Sequence, residues 1–167
     1  MPFDSREEET QRAVLEWIDS GVELCRIEKP ATPPKHLISY FVVVDFPFLL
    51  LVDHINAQLW LPTGGHVDPG EHPRDTVIRE AREELNIESE FLKECAVFLT
   101  STETVGLTAG HIDVSLWYVL KGCKKAQYKY DQSEFSSIQW FHIDELPYEK
   151  TDPEMHRFVQ KISILCA

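Results

Sequence analysis

The hydrophobic pattern changes period along the chain. Val14, Leu15, Trp17 and Ile18 form one apolar stripe at helical spacing. Ser5-Arg6-Glu7-Glu8 ahead of them has the form of a capping box. Together they predict a helix from about residue 6 to 20, stopping near Gly21, with a second short helical piece at residues 22–25. Lys29-Pro30-Ala31-Thr32-Pro33-Pro34 predicts an extended linker, because proline restricts its own backbone and that of the residue before it. From Leu37 the pattern turns to β-branched and aromatic runs. Residues 37–44 and 48–53 predict a strand pair joined at Asp45-Phe46-Pro47. Residues 58–62, 93–104, 112–120 and 136–142 predict further strands, while Thr63-Gly64-Gly65 and residues 106–110 read as loops. His72-Pro73 opens a helix that runs to Glu84 or Leu85, where Asn86 can take the left-handed cap conformation. A last helix follows Asp152-Pro153-Glu154, with Met155, Phe158, Val159, Ile162 and Leu165 on one side. This order predicts an α/β fold in one domain over residues 1–167: a mixed sheet sandwiched by helices, residues 1–35 an extension and linker, residues 36–167 the core. The first helix either covers the sheet or forms a dimer contact.

With 43% hydrophobic residues the chain can build a real core. Its net charge of −12 and the lack of a basic stripe argue against a stable nucleic-acid complex. The apolar runs at residues 40–44 and 46–52 are split by Asp45 and too short to cross a bilayer, so no membrane partner is expected. The acidic N-terminus has no apolar signal segment, which predicts a cytoplasmic protein. Cys25, Cys95, Cys123 and Cys166 show neither zinc spacing nor a disulfide framework, and read as reduced, mostly buried thiols.

Candidate chemistry concentrates at residues 64–87. On a helix over residues 73–85, Val77, Ile78, Ala81 and Leu85 make the buried stripe, and Glu80, Glu83 and Glu84 stack beside it. Three carboxylates on one face repel one another, near the helix end where the dipole also disfavours anions. Salt bridges to Arg79 and Arg82 on a solvated face would explain them alone. The upstream Gly64-Gly65-His66-Val67-Asp68-Pro69-Gly70-Glu71 alters that weighing, because two glycines can expose carbonyl oxygens. Carbonyls with carboxylates form the hard-oxygen set preferred by Mg²⁺ or Mn²⁺.

Gly65, Glu71, Arg79, Glu80, Ala81, Glu83, Glu84, Asn86 and Ile87 resemble the Nudix box, G-x5-E-x7-R-E-U-x-E-E-x-G-U, with U a bulky aliphatic residue. The spacing has no gap; Ala81 is a small occupant of the first U, and Asn86 replaces the usual glycine. More loosely, Lys35-His36-Leu37, the segment from Leu59 to His66, and residues 111–118 are similar to a MutT-like bacterial branch with an N-terminal helical extension. The resemblance implies an α/β/α sandwich and hydrolysis of a nucleoside diphosphate linked to another moiety, by a cation-dependent enzyme. It makes Glu80, Glu83, Glu84 and the Gly65 carbonyl the Mg²⁺ or Mn²⁺ ligands. It makes Arg79 the residue that orients the glutamates and Glu71 a charge partner supporting the loop and helix. The general base is a box glutamate or one from a later loop, for which Glu134 is the candidate. His66, His111, Asp113 and Trp60 are candidates for the substrate cleft. Phe41, Tyr118 and Trp140 could stack on a base but fit the core better, and His36 and His54 lack metal-ligand spacing.

The family's marks for ADP-ribose, diadenosine polyphosphates, NADH and coenzyme A are absent downstream of the box. That leaves nucleoside triphosphates or modified nucleotides as the expected small-molecule substrate. The alternatives are a non-catalytic nucleotide-binding or regulatory module, and an isoprenyl-diphosphate isomerase, which would need a suitably placed cysteine.

Overall fold

The computed structural model describes residues 1–29, 32–104 and 110–166. Pro30 and Ala31 of the predicted linker, and residues 106–109 of the predicted glycine loop, lie outside the described residues. Helix α1 is Ser5–Asp19. Its cap is Asp4 rather than Ser5: Asp4 accepts from the Glu7 N–H at 2.8 Å, and Glu7 reaches back to the Phe3 N–H at 2.6 Å. The cap is thus one residue earlier than read, with a carboxylate as the stronger acceptor, and Glu7 reaches past it to Phe3 rather than closing the box on Asp4. Residues 22–25 are not helical.

The strands are β1 Lys35–Asp45, β2 Phe48–His54, β3 Leu59–Leu61, β4 Thr63–His66, β5 Phe98–Glu103, β6 Ile112–Lys121 and β7 Phe135–His142. Helix α2, Pro73–Leu85, follows β4, and α3, Met155–Cys166, ends the described chain. The sheet order is β3-β2-β1-β6-β5, with β4 beside β1 and β7 beside β2. β1 and β6 are parallel over ten pairs, from Lys35↔Ile112 to Val44↔Lys121, and the other pairings are antiparallel. The mixed sheet between helices is therefore as expected.

Two strand bounds differ from the sequence reading. Residues 63–66 are a strand, not a loop, paired with residues 38–41 of β1. Gly64 makes this pairing feasible: its φ of +143° suits glycine, and a β-carbon there would collide with the Ser39 carbonyl. The strand predicted at residues 93–104 narrows to Phe98–Glu103, because Lys93, Glu94 and Cys95 turn out to solvent.

Alternation along the strands divides the core into two layers. Phe41, Val43, Leu50, Val52, Tyr118 and Leu120 pack against Val77, Ala81 and Leu85 of α2. Val42, Val44, Leu49, Leu51, Trp117 and Val119 pack against Met155, Phe158, Val159 and Ile162 of α3, whereas Leu165 is exposed. Phe41 and Tyr118 are core residues accordingly. The cysteines are thiols, but Cys95 and Cys123 are exposed, since they sit in polar connections rather than in either layer.

Helix α1 takes the first of its two predicted roles and covers the sheet. Val14 and Trp17 pack on Leu37, Leu99 and Val114, while Leu15 and Ile18 of the predicted stripe face solvent. The Glu7 carboxylate is buried, held by Lys161 at 2.7 and 2.8 Å and by the Leu99 N–H at 3.2 Å. Arg157 of α3 donates to Asp4 at 2.5 and 2.9 Å. Among the described residues no helix is long and apolar enough to cross a membrane.

Candidate functional site

Helix α2 starts at Pro73 behind a His72 cap, whose side chain accepts from the Arg74 N–H, and ends at Asn86 in the left-handed conformation, φ 52° and ψ 43°. The Asn86 N–H bonds back to the carbonyls of Ala81 and Arg82, so asparagine does the work of a cap glycine here. The apolar stripe pins α2 to the sheet and sets its acidic residues beside β4.

The glutamates do not share one environment. Glu84 is 6% exposed and accepts the Gly64 N–H at 2.9 Å. Glu80 lies against Gly65, so closely that a β-carbon at residue 65 would overlap its carboxylate. Glu83 is open, with its side chain 61% exposed. The face predicted as one acidic surface is thus a gradient from core to solvent.

Arg79 organises the opening of the gradient. Its guanidinium meets Glu71 through two bonds, at 3.0 and 3.1 Å, and reaches Glu80 at 2.5 Å and Glu83 at 3.6 Å. It also donates to the His66 carbonyl at 3.2 Å, tying α2 to β4. Glu71 accepts further from the Thr76 hydroxyl at 2.7 Å and the Asp68 N–H at 3.2 Å. Arg79 chiefly, then these two donors, hold the Glu71 carboxyl down to about 2 against burial. Arg82, by contrast, pairs with Glu88 away from the cluster.

Burial, then the neighbouring Glu80 charge, pushes Glu84 up to about 9, with the Gly64 N–H opposing. Burial raises Glu80 as well, opposed by Arg79. A cation seated among these oxygens would relieve both. The Gly65 cradle and the all-oxygen donors Gly65, Glu80, Glu83 and Glu84 fit a hard divalent ion such as Mg²⁺ or Mn²⁺. Glu134 comes to the same region from the loop before β7. The Asp131 N–H donates to the Glu84 carbonyl at 2.9 Å, and the Glu134 charge contributes to raising both Glu80 and Glu84.

The other candidates lie elsewhere. Trp60 is on the sheet face away from α2, half-buried, its ring 5.0 Å from that of Phe141. His66 follows Gly65 on the extended β4 and points away from Glu80, by strand alternation. There it meets His111 and Asp113, and also His36, which the sequence reading set aside. Spacing along one segment does not reveal His36, because register assembles this group: His36 pairs with Asp113 in the parallel β1–β6 ladder. The usable signal was a histidine at the very start of a strand, joined to the other two by pairing alone. Burial first, then Arg26 and the neighbouring rings, pushes His66 down to about 3, and burial pushes Asp113 up to about 6.

This geometry agrees with three comparisons. The family model described as NUDIX domain matches residues 35–162. The asymmetrical bis(5'-nucleosyl)-tetraphosphatase of Mus musculus is 44% identical over 55 residues, 33% of this chain and 37% of the relative. That of Caenorhabditis elegans is 49% identical over 45 residues, 27% of this chain and 33% of the relative. The chain thus spans about a third of the length of the curated relatives it matches. Among solved structures, a MutT NUDIX hydrolase from Burkholderia pseudomallei has a TM-score of 0.61 at 22% identity, covering 75% of this chain and 96% of that one. The E. coli dihydroneopterin triphosphate pyrophosphohydrolase has a TM-score of 0.62 at 15% identity, covering 87% and 100%. At such identities the structures speak to the fold alone. With the box residues gathered at one helix and strand, and the family's domain matched over most of the chain, this protein belongs to the NUDIX domain family.

Proposed function

We propose that this chain is a divalent-metal-dependent hydrolase of phosphoric anhydride bonds in small nucleotide substrates, a nucleoside diphosphate linked to a further group. The observation that carries this reading is the oxygen cluster of Glu80, Glu83 and Glu84 set against Gly65 and braced by Arg79 and Glu71. A regulatory module would not need such costly crowding of carboxylates.

In this reading the Gly65 carbonyl, Glu80, Glu83 and Glu84 hold Mg²⁺ or Mn²⁺. When bound, the ion neutralises phosphate charge and favours water as nucleophile at neutral pH. Arg79 keeps Glu80 aimed at Gly65, and Glu71 keeps Arg79 in place. Glu134, on a loop anchored to α2, is the general base that takes the proton of the attacking water. His66, His111, Asp113 and Trp60 sit on the opposite sheet face, and no role in the hydrolysis is assigned to them.

For the substrate, nucleoside triphosphates and modified nucleotides remain the first reading. The local identity to bis(5'-nucleosyl)-tetraphosphatases favours dinucleoside polyphosphates as the second, although the tyrosine mark of such hydrolases is missing near Thr102-Glu103-Thr104. A panel of both classes, assayed with Mg²⁺ and Mn²⁺, separates them. Glu83→Gln should lower kcat by about 10³-fold or more and Glu134→Gln by about 10²-fold, with circular dichroism unchanged. Turnover at the wild-type rate in Glu83→Gln would overturn the assignment.

A further inference from the structure

His36, His66, His111 and Asp113 bring one donor atom each to within 4.8 Å of one another. They come from β1, the end of β4, the residue just before β6 and the start of β6 itself, on the sheet face opposite the glutamates. Among the described residues, four buried side-chain atoms lack a hydrogen-bond partner, and three converge here: His36 Nε2, His66 Nε2 and Asp113 Oδ1. Leaving each unsatisfied costs about 1–3 kcal/mol, so the group calls for a ligand.

The ring orientations say which ligand. His36 is fully buried, and its Nδ1 lies 2.8 Å from the Pro33 carbonyl, which can only accept. Nδ1 therefore carries the proton, and the Nε2 lone pair faces Asp113 Oδ1 at 3.3 Å. His111 Nε2 stands 3.2 Å from the same oxygen. A lone pair facing a carboxylate is unfavourable unless a proton or a metal ion lies between them, and a metal ion would at the same time satisfy His66 Nε2, which a proton on His36 would leave without a partner. Four donors at about 2.0–2.1 Å from a tetrahedral Zn²⁺ stand about 3.3–3.4 Å apart, matching both separations. A backbone carbonyl behind a ligating histidine is also the usual orienting partner.

We infer that His36, His66, His111 and Asp113 form a second metal site, selective for a borderline transition ion of the Zn²⁺ or Co²⁺ class over Mg²⁺. Three imidazoles suit such an ion and suit Mg²⁺ poorly. Four protein donors leave no open position, so the ion staples the ends of β1, β4 and β6 and performs no chemistry. Because His66 adjoins Gly65, the staple also fixes the strand that carries the glycine cradle. This inference stands independently of the proposed hydrolase activity.

The test uses chelator-stripped full-length protein and the Glu80→Gln/Glu83→Gln variant, titrated with Co²⁺ and Zn²⁺ by calorimetry and visible spectroscopy. In the glutamate variant one equivalent of Co²⁺ should bind, with the intense visible bands of tetrahedral coordination, and in the unmutated protein one such equivalent should remain when excess Mg²⁺ fills the glutamate site. His111→Gln and Asp113→Asn, at the outer side of the group, should each weaken that binding by about 100-fold or more. They should also abolish the Zn²⁺-dependent rise in Tm, with circular dichroism confirming that they fold. His36→Gln should do the same. If it fails to fold, the two outer variants decide alone. No stoichiometric Co²⁺ binding in the glutamate variant, or binding untouched by His111→Gln and Asp113→Asn, would overturn the inference.

Discussion

A missing methyl group at residue 65 bears directly on the glutamate cluster. Glu80 occupies the space that a β-carbon would fill. Gly65→Ala should therefore displace the carboxylate and cut Mg²⁺ affinity and turnover by about 10²-fold, while leaving the fold intact; isothermal titration with Mg²⁺ measures it. Asp152 offers a pH-dependent counterpart remote from α2. Burial, assisted by the charges of Glu154 and Asp113 and opposed by the Glu154 N–H, lifts its carboxyl to about 6 from an ordinary 3.8. The native state thus holds this proton more tightly than the unfolded chain. Asp152 costs nothing below about pH 3.8, and stability falls as pH rises from there to about 6, then levels. Asp152→Asn, which keeps an oxygen for the Glu154 N–H, should gain up to about 3 kcal/mol over wild type at pH 7.5 and little at pH 4, read by denaturant melts at both values. Single residues were legible in sequence where chemistry and spacing coincide, as in Arg79 and Glu80. His36 was not, because its partners are supplied by strand register.

Among the elements, α2 was the most legible. Proline at its start, a 3.6-residue apolar stripe and Asn86 at its end all act locally, so sequence carries them. What sequence did not carry is that Glu84 belongs inside; only the Gly64 N–H across the gap to β4 accounts for that. β4 itself looked like a loop because its two glycines signal a turn, and its pairing with β1 depends on close backbone approach. Helix α1 was visible by period, but its target was not. Two of its stripe residues face solvent, and a charged residue, Glu7, is the one that goes deepest. Replacing Lys161 by Met would strand that carboxylate in the core. We expect a loss of about 3–5 kcal/mol in urea melts, far more than for a surface pair such as Arg82–Glu88. A loss below about 1 kcal/mol would mean that water reaches Glu7.

At the scale of the whole molecule, a formal charge of −12 sets the problem of attracting a phosphate-rich anion. Under the proposed function, the cluster of carboxylates beside Gly65 makes the local field worse until cations arrive, so nucleotide binding should strengthen as Mg²⁺ or Mn²⁺ is added. The overall layers followed from element order, whereas the parallel β1–β6 pair that holds the centre could not be read from either strand alone. The contact between α1 and β5 has its own consequence for solubility. β5 ends the sheet, and the Leu99 N–H on its outer edge is taken up by Glu7. A chain trimmed to begin at residue 35, where the family match starts, would keep both packed layers. It would also present an unpaired, partly apolar strand edge to its neighbours. Such a chain should self-associate in light scattering at concentrations where the intact protein stays dispersed. The short N-terminal helix would then count as a guard against edge-to-edge polymerisation, a role unrelated to catalysis.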